Sequence, residues 1–147
     1  MPHAEALTLL SPGKTCQDPA DWVPSKVQLG THQLSNGILG QDGSFCGLTV
    51  QLVVHRGPKT NMAQFRFDLF KVTISGPEPV YSLHIKTAPK ALKAAHNMPH
   101  EHIGDLRVTG DASWLKWGYP EALARFCERT GIEFIPPPLD PEEYRLR

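Results

Sequence analysis

The stretch LTVQLVVH, residues 48–55, decides the fold prediction for this chain. Apolar residues occupy every second position from Leu48 to Val54, and the other positions, 49, 51, 53 and 55, carry threonine, glutamine, valine and histidine. Successive side chains of a β-strand point to opposite faces, so this alternation places one apolar face against a core. The stretch therefore predicts a half-buried strand.

Further strand patterns follow this first one. Residues 64–75 carry apolar side chains at odd positions up to Leu69 and at even positions from Phe70 onward, a switch that predicts a β-bulge. Residues 80–87 alternate again, with Ser82, His84 and Lys86 on the polar side. Residues 101–108 predict a fourth strand interrupted at Gly104-Asp105.

Residues 119–130 predict the one clear helix of the chain. Pro120 suits the first helical turn, and Gly131 suits the left-handed residue that ends a helix. Leu123 and Phe126 form an apolar stripe that would dock on a sheet. The prediction is an α+β fold: a small antiparallel sheet with a C-terminal helix packed on one face and a loop-rich N-terminal region.

Composition and turn signals divide the chain into three parts. Residues 1–46 have little periodicity and predict a loop-rich N-terminal extension or lid. Residues 47–135 hold the strand and helix patterns of an α+β core domain. Residues 136–147 begin with three prolines and continue with a charged tail.

The net charge and the number of cysteines indicate which partners and which cell compartment to expect. The 15 basic and 15 acidic side chains cancel, so no overall positive field would attract nucleic acid or a membrane, and low net charge favours a protein partner or a homodimer. Three dispersed cysteines, no signal-peptide pattern and no apolar run long enough to span a membrane predict a cytoplasmic protein.

The run HNMPHEHIGD, residues 96–105, concentrates three of the seven histidines. Histidine titrates near neutral pH, so His100 and His102 on one face of an extended segment suit general acid–base catalysis on a phosphodiester. His84 and Lys86 would join them if their strand pairs with that segment. The predicted catalytic residues are thus His100, His102, His84 and Lys86, with no cofactor.

Two arginines and an alternative metal site complete the predicted chemistry. Arg56 and Arg107 are the candidate substrate-binding residues, because a guanidinium stabilises a phosphate charge. As an alternative, a turn through Asn97-Met98 would let four side chains bind zinc or a similar ion. Those candidate ligands are His96, His100, His102 and Asp105.

The motif from Pro99 to Asp105, PHEHIGD, resembles the TumE-type family of small toxins from bacterial toxin–antitoxin pairs. That family has a small α+β domain with a Pro-His-x-x-His type signature and a C-terminal helix, an arrangement similar to residues 48–131. The resemblance implies an RNA-directed toxin held by an antitoxin, with His100 and His102, and less closely Asp105, as the matching positions. The present chain departs in its His-x-His spacing, its N-terminal region and its proline-rich end.

Three function hypotheses follow from these observations. The first is a toxin-like, RNA-directed effector, a metal-independent ribonuclease whose partners are RNA and a cognate antitoxin. The second is a non-catalytic interaction protein from a mobile element that inhibits a host protein complex, for which Trp114 and Trp117 offer an aromatic edge. The third is a metal-dependent enzyme that uses the histidine run.

Overall fold

The structure is a computed structural model that describes residues 1–57, 62–87 and 98–142. Its two α-helices are α1 (His3–Leu10) and α2 (Tyr119–Thr130), and a short 3-10 helix covers Ala112–Lys116. Its strands are β1 (Lys14–Gln17), β2 (Val23–Pro24), β3 (Thr31–Leu39), β4 (Phe45–Arg56), β5 (Ala63–Thr73), β6 (Gly76–Thr87), β7 (His100–Ile103), β8 (Leu106–Thr109) and β9 (Ile132–Ile135). No helix in these described ranges is long and apolar enough to cross a membrane.

All nine strands belong to one sheet, in the order β8-β7-β6-β5-β4-β3-β1-β9, with β2 paired to β3 beside this path. Every pairing is antiparallel except that of β1 with β9, where Lys14 lies opposite Ile132. The prediction of mixed helices and strands with a mainly antiparallel sheet is confirmed. The prediction of a small sheet is wrong, because nine strands join it.

Strand alternation builds the core on one side of this sheet. Leu48, Val50, Leu52 and Val54 of β4 are all buried, and the residues between them are only half-buried. The pairing of β5 with β6 shifts register between Leu69 and Phe70, which confirms the predicted bulge. Helix α2 covers this apolar side with a buried stripe that includes Phe126.

Two glycines allow the chain to turn at the ends of these elements. Gly131 has φ 73° and ends α2, as its sequence position predicts. Gly104 has φ 60° in the turn between β7 and β8, and its N–H donates to the carbonyl of Val80 at 2.8 Å. Residues 101–108, predicted as one interrupted strand, are therefore a hairpin, because the Gly104-Asp105 step reverses the chain.

The first 46 residues contribute strands to the sheet rather than loops alone. They contain α1, β1, β2 and β3, and β3 pairs with β4 along most of its length. The prediction of a loop-rich region is wrong, because these strands join the sheet. The sequence pattern did not indicate β3, because this strand lacks the strongly apolar composition of β4. The proposed division of the chain at residues 46 and 135 stays a prediction.

The described part of the C-terminal segment packs against the domain. Trp22 Nε1 donates to the carbonyl of Leu139, and the Tyr119 hydroxyl donates to the carbonyl of Pro138, each at 2.7 Å. Arg56 forms an ion pair with Asp140 at 2.8 Å. These contacts link residues 138–140 to α2, to β4 and to the segment that precedes β2.

Candidate metal centre

Two neighbouring strands bring three histidines together. In the antiparallel pairing of β6 with β7, His84 lies directly opposite His100, and Ser82 lies opposite His102. The residues between them, Leu83 and Glu101, are buried on the helix side of the sheet. Because side chains alternate along a strand, the three histidines share the other side, here called the histidine face.

The three imidazole rings form a compact triangle, here called the histidine cluster. Ring centroids are 4.8 Å apart for His84 and His100, 5.0 Å for His100 and His102, and 5.4 Å for His84 and His102. One nitrogen from each ring lies within 4.8 Å of the others. Among the described residues, these three histidines are the one set of at least three histidine, cysteine or acidic side chains whose ligand atoms are close enough to hold a metal ion.

One hydrogen bond orients the His100 ring. The His100 Nδ1–H donates to the carbonyl of Met98 at 3.0 Å, since a carbonyl oxygen can only accept. The proton on Nδ1 leaves the lone pair on Nε2, which is the arrangement that metal-binding histidines commonly adopt. His100 is therefore held in the tautomer that can coordinate an ion through Nε2.

His84 has a polar atom that lacks a hydrogen-bond partner among the described residues. Its Nε2 is buried and makes no hydrogen bond to any described residue. Burial is the main cause that lowers the pKa of His84 to about 4, and the charges of His100, Arg66, His102 and Arg107 contribute to the same shift. A buried polar atom without a partner costs free energy, so this nitrogen is a candidate atom for binding a ligand.

His102 is also held in its neutral form. Burial lowers its pKa below the ordinary value of 6.5, and the charges of His100, Arg107 and Arg66 act in the same direction, whereas Asp68 opposes them. Metal ions bind the unprotonated imidazole. At neutral pH, both His84 and His102 are thus available as ligands.

Charged and polar residues flank the cluster in two cross-strand rows. One row runs Arg66, His84, His100 and Thr109, and the next runs Asp68, Ser82, His102 and Arg107. The Ser82 hydroxyl donates to buried Asp68, which also accepts from Arg66 Nε at 3.3 Å. Residues directly opposite each other across strands interact most strongly, so the arginines act directly on the imidazoles.

Glu101, which separates His100 from His102 in sequence, points into the core and anchors β7. It is 1% exposed and pairs with Arg125 at 2.9 Å and Arg129 at 3.3 Å, both on α2. It also accepts a hydrogen bond from the Tyr81 hydroxyl. Burial raises the pKa of this carboxyl, but hydrogen bonds from Arg125, Tyr81 and Arg129 outweigh it and leave the pKa lowered.

The other residues predicted from sequence are distributed around and away from this cluster. Lys86 shares a pocket with His84 and His100, and Arg107 lies opposite His102. Asp105 is exposed in the β7–β8 turn and is not a member of the histidine cluster. His96 lies outside the described residues.

Arg56, predicted to bind substrate, lies on the helix side of the sheet. It shares the alternation of buried Leu52 and Val54, and it forms ion pairs with Asp140 and Glu142. His55, the neighbouring residue, is on the same side as the histidine cluster but hydrogen-bonds to Thr31 at 2.7 Å. His55 and Arg56 are adjacent in β4, so their side chains point to opposite sides of the sheet.

Sequence reasoning did not select Arg66, Asp68 and Ser82 as site residues. The signal for them was present, because Gln64, Arg66 and Asp68 alternate with apolar residues in the same way as Ser82, His84 and Lys86. Reading the polar side of both strands together would have placed the arginine and the acid beside the histidines.

The arrangement suits a tetrahedral metal ion. Zinc bonds imidazole nitrogen at about 2.0–2.1 Å, which holds two such nitrogens roughly 3.4 Å apart in a tetrahedral site. The nitrogens of the cluster, within 4.8 Å of one another, would need to approach by about 1.4 Å at most. Three histidine ligands leave a fourth position for water, as in hydrolytic zinc sites.

Comparisons with known proteins give no relative for this chain. No family model, no curated protein and no solved structure matches it. The resemblance to TumE-type toxins stays a prediction.

Proposed function

We propose that this protein is a metal-dependent hydrolase whose metal ion is bound by His84, His100 and His102. The observation that carries the proposal is the buried Nε2 of His84, which lacks a hydrogen-bond partner among the described residues and belongs to a ring next to two other imidazoles. An ion coordinated there would satisfy this atom without a large change in the fold.

The chemistry of the site supports hydrolysis. A divalent ion in a three-histidine site lowers the pKa of its bound water to near neutrality and so supplies hydroxide at physiological pH. Arg66 and Arg107 lie in the cross-strand rows of the histidines and contribute positive charge. Positive charge at this position stabilises the negative charge that develops on a hydrolysed ester.

Isothermal titration calorimetry of the EDTA-treated, dialysed protein with zinc chloride tests the proposal. We expect one zinc ion per chain in the wild type. His84→Ala, His100→Ala and His102→Ala should each weaken binding by at least about tenfold, because even the loss of an outer-shell partner of a ligand costs that much.

His55→Ala is the matched control, because His55 lies on the histidine face but outside the cluster. It should leave zinc affinity unchanged. Circular dichroism establishes that each variant is folded. Wild-type protein that binds neither zinc nor manganese, and whose melting temperature neither ion changes, would contradict the proposal.

A second candidate function is a metal-free, RNA-directed effector of the toxin–antitoxin type. The observation that favours it is the pairing of Arg107 with His102 and of Arg66 with His84, since imidazole and guanidinium groups together can transfer protons and bind a phosphodiester. The resemblance to TumE-type toxins implies the cognate antitoxin as its partner.

Incubation of RNA with the protein in EDTA separates the two candidates. Cleavage that continues in EDTA and stops in the His100→Ala/His102→Ala double variant would favour the metal-free candidate. Cleavage that stops in EDTA and returns with added zinc or manganese would favour the metal-dependent one. The His55→Ala variant again serves as the control.

A further inference from the structure

A pocket of 240 Å³ adjoins the histidine cluster. Its lining includes Gln64, Arg66, His84, Lys86, Met98 and His100. Two of these residues, His84 and His100, are also members of the cluster. A group bound in this pocket would therefore lie beside an ion held by the three histidines.

The charges around this pocket are those of an anion site. Lys86 and Arg66 are cationic, and no aspartate or glutamate is among the described residues that line it. Arg66 contacts the carboxylate of Asp68 through its Nε atom at 3.3 Å. The same carboxylate also accepts a hydrogen bond from the Ser82 hydroxyl. Lys86 has no ion-pair partner in the described ranges, so its ammonium group is available to a ligand.

The polar groups here favour an anion with several oxygens. The Arg66 guanidinium presents donors in a planar fork, Lys86 carries a compact charge, and the Gln64 amide adds two further donors. A phosphate group offers enough oxygens to contact these donors and a metal ion at once. The planar carboxylate has only two.

The size of the pocket indicates that it holds one part of a larger substrate. Pockets that enclose a whole small molecule usually measure roughly 300–1,000 Å³. At 240 Å³ this pocket has room for a phosphate group but lies below that range. The remainder of the substrate would then lie outside it, along the histidine face.

We propose that the substrate of the histidine cluster is a phosphate ester whose phosphate group binds between Lys86 and Arg66. This inference rests on the proposed hydrolase function and names its substrate class. In the reaction, the oxygen of a water molecule forms a bond to phosphorus as the bond from phosphorus to the leaving alcohol breaks. The leaving oxygen takes the proton that the water gives up, so no oxidant or reductant is required.

The test uses inorganic phosphate as the probe and the full chain, with and without bound zinc. Phosphate affinity is measured by calorimetry for the wild type, Lys86→Gln and the Lys86→Gln/Arg66→Gln double variant. We expect the double variant to lose at least roughly tenfold in phosphate affinity, since two charge-assisted contacts are removed. The single variant should show a smaller loss in the same direction.

Lys71→Gln/Lys116→Gln is the matched control, because it removes the same charge at a half-buried and an exposed site outside the pocket. It should leave phosphate affinity unchanged. Sodium acetate serves as a carboxylate probe and should bind at least roughly tenfold more weakly than phosphate, because it offers fewer oxygens to these donors. A separate zinc titration of every variant should give one ion per chain.

The outcomes distinguish the two proposals. If zinc binds but the pocket variant and the control variant have equal phosphate affinity, the inference is overturned and the proposed metal site stands. Equal affinity for acetate and phosphate also overturns it. If zinc does not bind, the hydrolase proposal fails, and a selective phosphate loss in the pocket variant measured in EDTA would still support an anion site at Lys86 and Arg66.

Discussion

The surroundings of His84 change its pKa, and this change makes the stability of the protein depend on pH. It is half-buried and faces two other histidines, and burial together with nearby histidines and arginines lowers its pKa to about 4. An unfolded chain would restore the ordinary value of 6.5. The folded protein therefore binds a proton at this position less readily than the unfolded chain.

This difference predicts a loss of stability in mild acid. Between pH 6.5 and pH 4, His84 is protonated in the unfolded state but stays neutral in the folded state. The free energy of unfolding therefore falls as the pH falls. From pH 7 to pH 5 the effect of this group alone is about 2 kcal/mol. Urea denaturation of the metal-free protein at the two pH values measures it.

His84→Gln is the informative variant, because glutamine does not titrate. The drop in unfolding free energy between pH 7 and pH 5 should shrink by about the same 2 kcal/mol in this variant. His55→Gln, at a histidine outside the cluster, controls for the loss of a histidine as such. An equal pH dependence in the wild type and His84→Gln would contradict the assignment.

At the scale of elements, β7 is attached to α2 by one buried carboxylate. Glu101 contacts Arg125 and Arg129 on the helix and Tyr81 on the adjacent strand. Arg125 also lies over the Trp114 ring, 5.0 Å from its centroid. His100 and His102, the candidate ligands on either side of Glu101, therefore lie on a strand whose opposite side is attached to α2.

Replacement of this carboxylate should destabilise the fold. In Glu101→Gln two guanidinium groups lose their counter-ion beside a buried, neutral amide, and we expect a loss of roughly 3 kcal/mol, the low end for a broken buried ion pair, since both arginines are partly exposed. Urea denaturation at pH 7 measures the change. Glu128→Gln is the matched control: it removes an exposed carboxylate 3.8 Å from Arg125 and should cost less than about 1 kcal/mol.

The outcome would also show what Glu101 contributes. A Glu101→Gln variant as stable as Glu128→Gln would mean that the desolvation cost of the buried charge cancels its attraction to the arginines. Zinc titration of the same variant would then show whether the His100 and His102 positions depend on this anchor.

Several elements could be predicted from sequence because their signals are local. Helix α2 begins and ends where Pro120 and Gly131 predict, and the bulge lies where the apolar parity changes at Leu69. Strand β3 was not predicted, because its residues include Gln33, Ser35 and Asn36 and lack a continuous apolar alternation. Pairing with β4 supplies the backbone hydrogen bonds that make this polar segment a strand.

At the scale of the whole molecule, the sheet order determines which strands are protected. β4 and β5 lie near the centre of the sheet, with β8 and β9 at its ends. The N-terminal strand β3 is an interior strand between β4 and β1. The first third of the chain therefore contributes strands to the same sheet as the central strands.

Hydrogen–deuterium exchange tests this arrangement. Amides of β4 and β5 should exchange slowest, at rates set by global unfolding, because both strands are paired on both sides along most of their length. Amides of β3 that bond to β4 should exchange at the same slow rate. Amides of β8 should exchange faster by at least about tenfold, because its outer edge has no strand neighbour in the described sheet. Exchange of β3 at the rate of β8 would instead favour a separable N-terminal lid.

Features that repeat over two to four residues can be predicted from the sequence. Alternation along residues 48–55 and 80–87 defined an apolar and a polar side, and the spacing of His100 and His102 placed both on one side. Which strands are neighbours is known only from the three-dimensional fold. His84 meets His100 because β6 pairs with β7, and Arg56 lies across the sheet from them. The physical reason is that side-chain direction is fixed within two residues, whereas pairing depends on contacts between segments far apart in sequence.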